Sequence, residues 1–196
     1  MKARVALAAA VLALAACAAP APVRYYTLSS ASPPAAQAPG GKAKYRVTIG
    51  PVSLPETIDR QQVVLRVAPN RYAISDLDRW AEPLKREIPR VLAEDLARQL
   101  PEARVAAHMQ YEGSGAEFRL PVDLLRFESA PAEAITLEAL WSVRNGANER
   151  LHEAHSIIVE PVSAPGVAPL VAAHAKALAG LAREMAGAVE ALARKP

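Results

Sequence analysis

The chain has 196 residues, 52% of them apolar and 22% charged, which suits one domain with a real core and excludes general disorder. Two of its 23 basic residues, Lys2 and Arg4, fall in a removable leader, so 21 basic residues face 20 acidic ones in the mature chain. That near-neutral balance gives no support to nucleic-acid binding, and a single cysteine excludes an intramolecular disulfide.

Residues 1–16 show the three parts of an export signal: Lys2 and Arg4, an apolar segment from Val5 to Ala13, then small residues. A membrane-spanning helix needs roughly 20 apolar residues, and this run is cut by Cys17, Pro20 and Pro22. Leu14-Ala15-Ala16-Cys17 resembles a lipobox, which implies cleavage between Ala16 and Cys17 and a covalent lipid on the Cys17 sulfur. Two acyl chains hold a protein firmly at a membrane where one alone is marginal. Position 18 is Ala rather than Asp, and by the usual bacterial sorting pattern this implies the periplasmic face of the outer membrane.

Residues 17–22 read as a lipidated tether and residues 23–196 as a single domain. Arg24 to Leu28 is a compact run of strand formers, followed at 29–44 by a Pro-, Ala-, Gly- and Ser-rich flexible loop. Tyr45 to Val52 is expected to be a second strand with Val47 and Ile49 on one face, its regular pairing ended by Gly50-Pro51. Gln62 to Val67 and Asn70 to Ile74 read as a hairpin turning at Pro69-Asn70. Leu84, Ile88, Val91, Leu92, Leu96 and Leu100 recur at helical spacing, with Pro83 in the first turn and Pro89 as a kink or a later start.

From Glu117 the period becomes two. Phe118, Leu120, Val122 and Leu124 share a face, and the parity flips after Leu124, which predicts a bulge or face switch near Leu124-Leu125. Ile135, Leu137, Ala139, Trp141 and Val143 are in phase on the next strand, and Asn145-Gly146 predicts a tight turn into a strand over 150–160. Leu170, Val171, His174, Leu178, Leu181, Met185, Val189 and Leu192 form one stripe of a closing helix. The order predicts an α+β, two-layer α/β sandwich: a mostly antiparallel sheet with two helices on one face. Leu140 and Ile158, assigned to the other face, would suit a homo-oligomer.

Catalysis calls for a nucleophile with a base, paired carboxylates or clustered ligands. His152 and His155 are three apart, which on a strand sends them to opposite faces, away from a common metal. His174 belongs to an apolar stripe, and His108 has no evident partner. Gly113-Ser114-Gly115 lacks the later glycine and helix of a phosphate cradle. Glu94 and Asp95 are adjacent on a helix and read as solvated charges rather than an acid/base pair. The expectation is a protein that is no enzyme and carries no metal or cofactor beyond the lipid on Cys17.

The segment from Gly50 to Arg60 is the most unusual one. Two prolines stiffen it and display Leu54 and Ile58 among polar neighbours, so it reads either as a recognition loop or as a rigid connection tucked onto the core. Trp80, beside Arg79 and Glu82, reads as an interface aromatic or as a core Trp that starts the first helix.

Three stretches, Tyr25-Tyr26-Thr27-Leu28, Ile49 to Pro55 with Ile58-Asp59-Arg60, and Arg79 to Leu84, together resemble the ABC-type transport auxiliary lipoproteins, which include the paraquat-inducible protein C type. The final helix, with Val171-Ala172-Ala173-His174 and Leu178 to Ala182, is similar to the C-terminal helix of that family. The resemblance implies an outer-membrane partner of a mammalian-cell-entry (MCE) domain system that carries lipid across the periplasm and supports envelope integrity. It makes Leu54, Pro55, Ile58, Asp59, Arg60, Arg79 and Trp80 candidates for contacts with an MCE-domain protein or another subunit. The competing expectation is an envelope-assembly or stress scaffold that never meets lipid in transit.

Overall fold

The computed structural model describes residues 21–30, 43–107 and 115–194. In chain order it contains β1 (Arg24–Tyr26), β2 (Tyr45–Ser53), β3 (Gln62–Ala68), β4 (Arg71–Trp80), α1 (Leu84–Gln99), β5 (Ala103–Ala107), β6 (Phe118–Ala130), β7 (Ala134–Asn145), β8 (Arg150–Pro161) and α2 (Val167–Ala193). The fold is α+β, a mixed sheet with these two helices packed against one face, as expected.

Strand β6 is the trunk of the sheet. One of its edges carries β7, and β7 carries β8, in long antiparallel ladders. The other edge is shared: β2 pairs in parallel with the first half of β6, and β3 meets it near the end, where Leu65 lies opposite Ser129. From β2 the sheet continues to β5, and from β3 to β4 and then β1. Among the described residues four pairings are parallel and three antiparallel, but the antiparallel ladders are the long ones, so most paired residues are antiparallel. The 54–61 connection from β2 to β3 lies at the fork, beside the middle of β6.

The core forms where the inward positions of the central strands meet the two helices. Val47 and Ile49, Leu120, Val122, Leu124 and Phe127, and Ile135, Leu137, Ala139, Trp141 and Val143 pack against Ile88, Leu92 and Leu96 of α1 and Leu178, Leu181 and Met185 of α2. Burying such side chains is worth roughly 1.5–3 kcal/mol each, which makes this layer the main source of stability.

Several elements differ from the sequence expectation. The regular pairing of β2 does break at Gly50-Pro51, as expected, but the strand runs one residue further: Gly50 takes a φ of 108°, the ladder to β6 shifts register between Ile49 and Val52, and pairing resumes to Ser53. Strand β4 runs on from Ile74 to Trp80, because Asp78, a poor strand former, is buried and paired with Arg24 of the neighbouring strand. Strand β5 has no counterpart in the sequence expectation. Its Ala-Arg-Val-Ala-Ala is poor in strand formers, and pairing to β2 together with contact against α1 makes it a strand. Helix α1 starts at Leu84 and passes through Pro89, which is buried, giving up the backbone bond to the Lys85 carbonyl.

The bulge expected at Leu124-Leu125 is present: Leu124 pairs with Ala139 and Arg126 with Glu138, leaving Leu125 out of the ladder. The β7–β8 turn is wider than a two-residue hairpin. Asn148, rather than Gly146, takes the left-handed conformation at φ 67°, and the Asn145 N–H donates to the Glu149 carbonyl. Ile158, expected on the outer face, instead packs against Gly180 of α2 and pairs with Leu137. Its neighbours Ile157 and Val159, each 60% exposed, occupy the outer face with Leu140.

Candidate functional site

The loop at the fork is tied down on both sides. Within it the Ile58 and Asp59 N–H groups donate to the Pro55 carbonyl at 3.1 and 3.2 Å, and Arg60 N–H donates to the Ile58 carbonyl at 2.8 Å. Asp59 pairs with Lys85 of α1 at 2.5 Å, and the Trp80 N–H donates to the Gln61 carbonyl at 2.7 Å. Ile58 and Trp80 are buried in the core; Leu54, Pro55, Asp59 and Arg79 are half-buried, and Arg60 is exposed. For Ile58 and Trp80 the core reading therefore describes the side chains. What this loop leaves at the surface is the rim formed by Glu56, Thr57 and Arg60 over Leu54 and Pro55.

A second constellation, only half legible in the sequence, clasps the segment from Arg24 to Ser30. Arg24 of β1 donates to both carboxylate oxygens of Asp78 at 2.7 and 3.0 Å. Asp78 is nearly buried, and burial works against its charge, yet hydrogen bonds from Arg24, Ser75 and Tyr26 hold its pKa below the ordinary 3.8. The Ala81 N–H donates to the Tyr26 carbonyl at 2.7 Å. Next along the chain, the fully buried Glu87 of α1 accepts from the Leu28 N–H at 3.1 Å and from the Thr27 hydroxyl, while Arg90 donates to the Leu28 carbonyl at 2.9 Å. Ser30 donates to Asp95 at 2.7 Å, and Arg98 reaches both.

This arrangement corrects the reading of Glu94 and Asp95 as two solvated charges. Glu94 is exposed and pairs with Arg90 at 2.9 Å, but Asp95 is 1% exposed and helps hold the N-terminal segment. Helix periodicity puts Leu84, Ile88 and Leu92 inward, and it also puts Glu87 and Asp95 on that stripe. Acids at apolar positions are the signal the sequence offers. Ala16 and Cys17, the cleavage and lipidation candidates, lie outside the described residues, as do His108, Gly113 and Ser114.

The three described histidines lie against neighbours within the fold. His174 lies within 2.8 Å of the Ser129 hydroxyl through Nε2, between the Phe127 ring at 4.0 Å and the Trp80 ring at 6.1 Å, and burial pushes its pKa down to about 3. A serine and a histidine at this distance resemble a nucleophile and base. Both are buried, however, and among the described residues Nδ1 has no hydrogen-bond partner to orient the ring. The pair fills space inside the sandwich. His152 lies against Trp141 and His155 against Glu138 on opposite faces of β8, as the spacing requires. Among the described residues no group of three or more His, Cys, Asp or Glu is placed to hold a metal, and no helix is long and apolar enough to cross a membrane.

The family model described as ABC-type transport auxiliary lipoprotein component matches residues 26–186. Among solved structures, an uncharacterized protein is 19% identical, with a TM-score of 0.72 over 86% of this chain and 99% of that one. A protein from Xanthomonas campestris is 16% identical, with a TM-score of 0.68 over 88% of this chain and all of that one. At these identities the likeness is one of fold. No curated protein matches the chain.

Proposed function

Since the chain belongs to the ABC-type transport auxiliary lipoprotein components, we propose that it is an outer-membrane-anchored periplasmic adaptor, a non-catalytic subunit that docks onto an MCE-domain protein of an intermembrane lipid transport system. The observation that carries this reading is the clasp. Arg24 lies only seven positions after Cys17, a reach of at most about 25 Å for extended chain. From Arg24 to Ser30 the segment is then bonded to β4 and α1. A lipid on Cys17 would thus hold the body of the domain close to the bilayer, as an adaptor receiving a partner from across the periplasm requires.

The contact with that partner is assigned to the loop rim: Leu54, Pro55 and Arg60 with Asp59 and Arg79 behind them, and Ile58 and Trp80 as the buried support. A photo-crosslinking residue at Thr57 in the living envelope tests it. Capture of an MCE-domain protein is the expected result. Capture of a secretion or assembly scaffold, with no MCE-domain protein, would replace transport with the scaffold role. Cys17→Ser should release the folded protein from membranes; a variant that still fractionates with the outer membrane would show that partner contacts hold it there.

A further inference from the structure

At the end of the sheet remote from β1, three arginines line up across adjacent strands. Arg119 of β6 lies directly opposite Arg144 of β7, and Arg144 lies opposite Arg150 of β8. Like charges directly opposite on one sheet face repel and destabilise it. Here they stand over two adjoining depressions of about 490 and 340 Å³, which share Pro51, Pro121 and Arg144.

Of the described acids nearby, one is paired with the row, Glu153 with Arg150, and none is bonded to Arg119 or Arg144. Asp123 accepts from Ser53, Glu149 accepts from the Asn145 side chain, and Glu153 holds Arg150. Among the described residues the Arg119 side chain has no hydrogen bond or ion pair, and Arg144 makes only a 3.4 Å bond to the Asn148 carbonyl, leaving its buried Nε without an acceptor. An unused guanidinium pair with an orphaned donor beside a groove is chemically suited to bidentate recognition of carboxylate or phosphate.

We propose that Arg119 and Arg144, supported by Arg150, form a recognition groove for a carboxylate-rich segment of a partner protein. Position favours a protein over the lipid surface. The register through Tyr25–Arg79, Arg79–Gln62 and Leu65–Ser129 sets β1 beside the second half of β6. Arg119 lies roughly 20 Å further along β6 at about 3.3 Å per residue, and the row then runs two strands away from β1. The anchor strand and the arginines thus occupy opposite ends of the sheet. Pro51, Pro121 and Leu140 supply apolar walls that peptide side chains can fill. This groove is separate from the loop rim and stands without the MCE assignment.

The test uses the purified chain carrying Cys17→Ser, titrated with a short polyglutamate peptide, with phosphatidylglycerol vesicles and with inorganic phosphate. Peptide binding that weakens with salt, and falls about ten-fold in Arg119→Gln/Arg144→Gln but not in the distant control Arg71→Gln, is expected. The thermal midpoint should hold or rise, since the substitution relieves repulsion. Unchanged peptide binding in the double variant would overturn the proposal. So would vesicles binding more tightly than the peptide through the same arginines, or phosphate binding alone, because either assigns the row to phosphate. Should the double variant unfold, Arg119→Gln alone gives the reading, since that side chain holds no described neighbour in place.

Discussion

At the corner where β1 meets β4 and α1, the buried acids have donors: Asp78 has Arg24 and Ser75, Glu87 has Thr27 and the Leu28 amide, and Asp95 has Ser30 and Arg98 on Oδ1, its Oδ2 being left without a partner among the described residues. At the β6–β8 end, Arg119 and Arg144 face one another as directly opposed partners of like charge. The same sheet therefore uses charge in two ways. Buried and matched, charges fix a short segment that has little apolar surface of its own; unmatched beside a groove, they are held ready for something outside the molecule. Removing a partner from the first kind leaves a buried group unsatisfied, whereas removing one of the second kind leaves only solvated surface.

The contrast can be broken by substitution, beginning where the effect is greatest. Trp80→Ala should cost about 3–5 kcal/mol in chemical denaturation, because the ring is in the core where β4 ends beside Tyr26; a loss below about 1 kcal/mol would return Trp80 to the interface reading. Glu87→Ala should cost about 2–3 kcal/mol and speed amide exchange at Leu28, whose N–H loses its acceptor. Exchange that does not change would mean β1 alone holds the segment.

His174, buried in the core, makes the fold sensitive to acid. Its pKa in the folded state is about 3 against an ordinary 6.5, so between these values the unfolded chain binds the extra proton and stability falls as pH falls. From pH 7.5 to 5 the loss should be about 2 kcal/mol, and His174→Phe should flatten that part of the profile. Asp78, with a depressed pKa, stabilises the fold above 3.8 and loses that contribution only at lower pH, so the two windows separate. Smallest of all, Arg119→Gln should change stability by no more than about 0.5 kcal/mol in the same denaturation assay. A large loss there would make the two ends alike.

The strands with strong patterns are legible in the sequence. Ile135 to Val143 alternate without interruption and are buried as alternation requires, and the parity flip at Leu124-Leu125 is a bulge in the β6–β7 ladder. Weakly patterned β5 and the second half of β4 are hidden there, because Ala and Asp become strand residues only through neighbours distant in sequence. Ile158 shows a different failure. Strand β8 has apolar residues at three successive positions, 157–159, so periodicity cannot select its face, and contact with Gly180 does.

The candidate sites divide along the same line. The loop from Leu54 to Arg60 stands out by its prolines, but only packing separates the buried Ile58 from the exposed Arg60. The clasp leaves only half a mark in the sequence, the acids Glu87 and Asp95 on an apolar helix stripe, and the arginine row leaves none, because each pairing joins strands or segments that no local period records.

By itself the sequence determined the helix stripes, the strongest strands and the expectation of a lipid on Cys17, because each is written in neighbouring residues. Tertiary structure alone decided which acids are buried and which arginines stand unmatched: strand order and register bring Thr27 to Glu87 and Arg119 to Arg144, and those meetings set the charge at either end of the sheet.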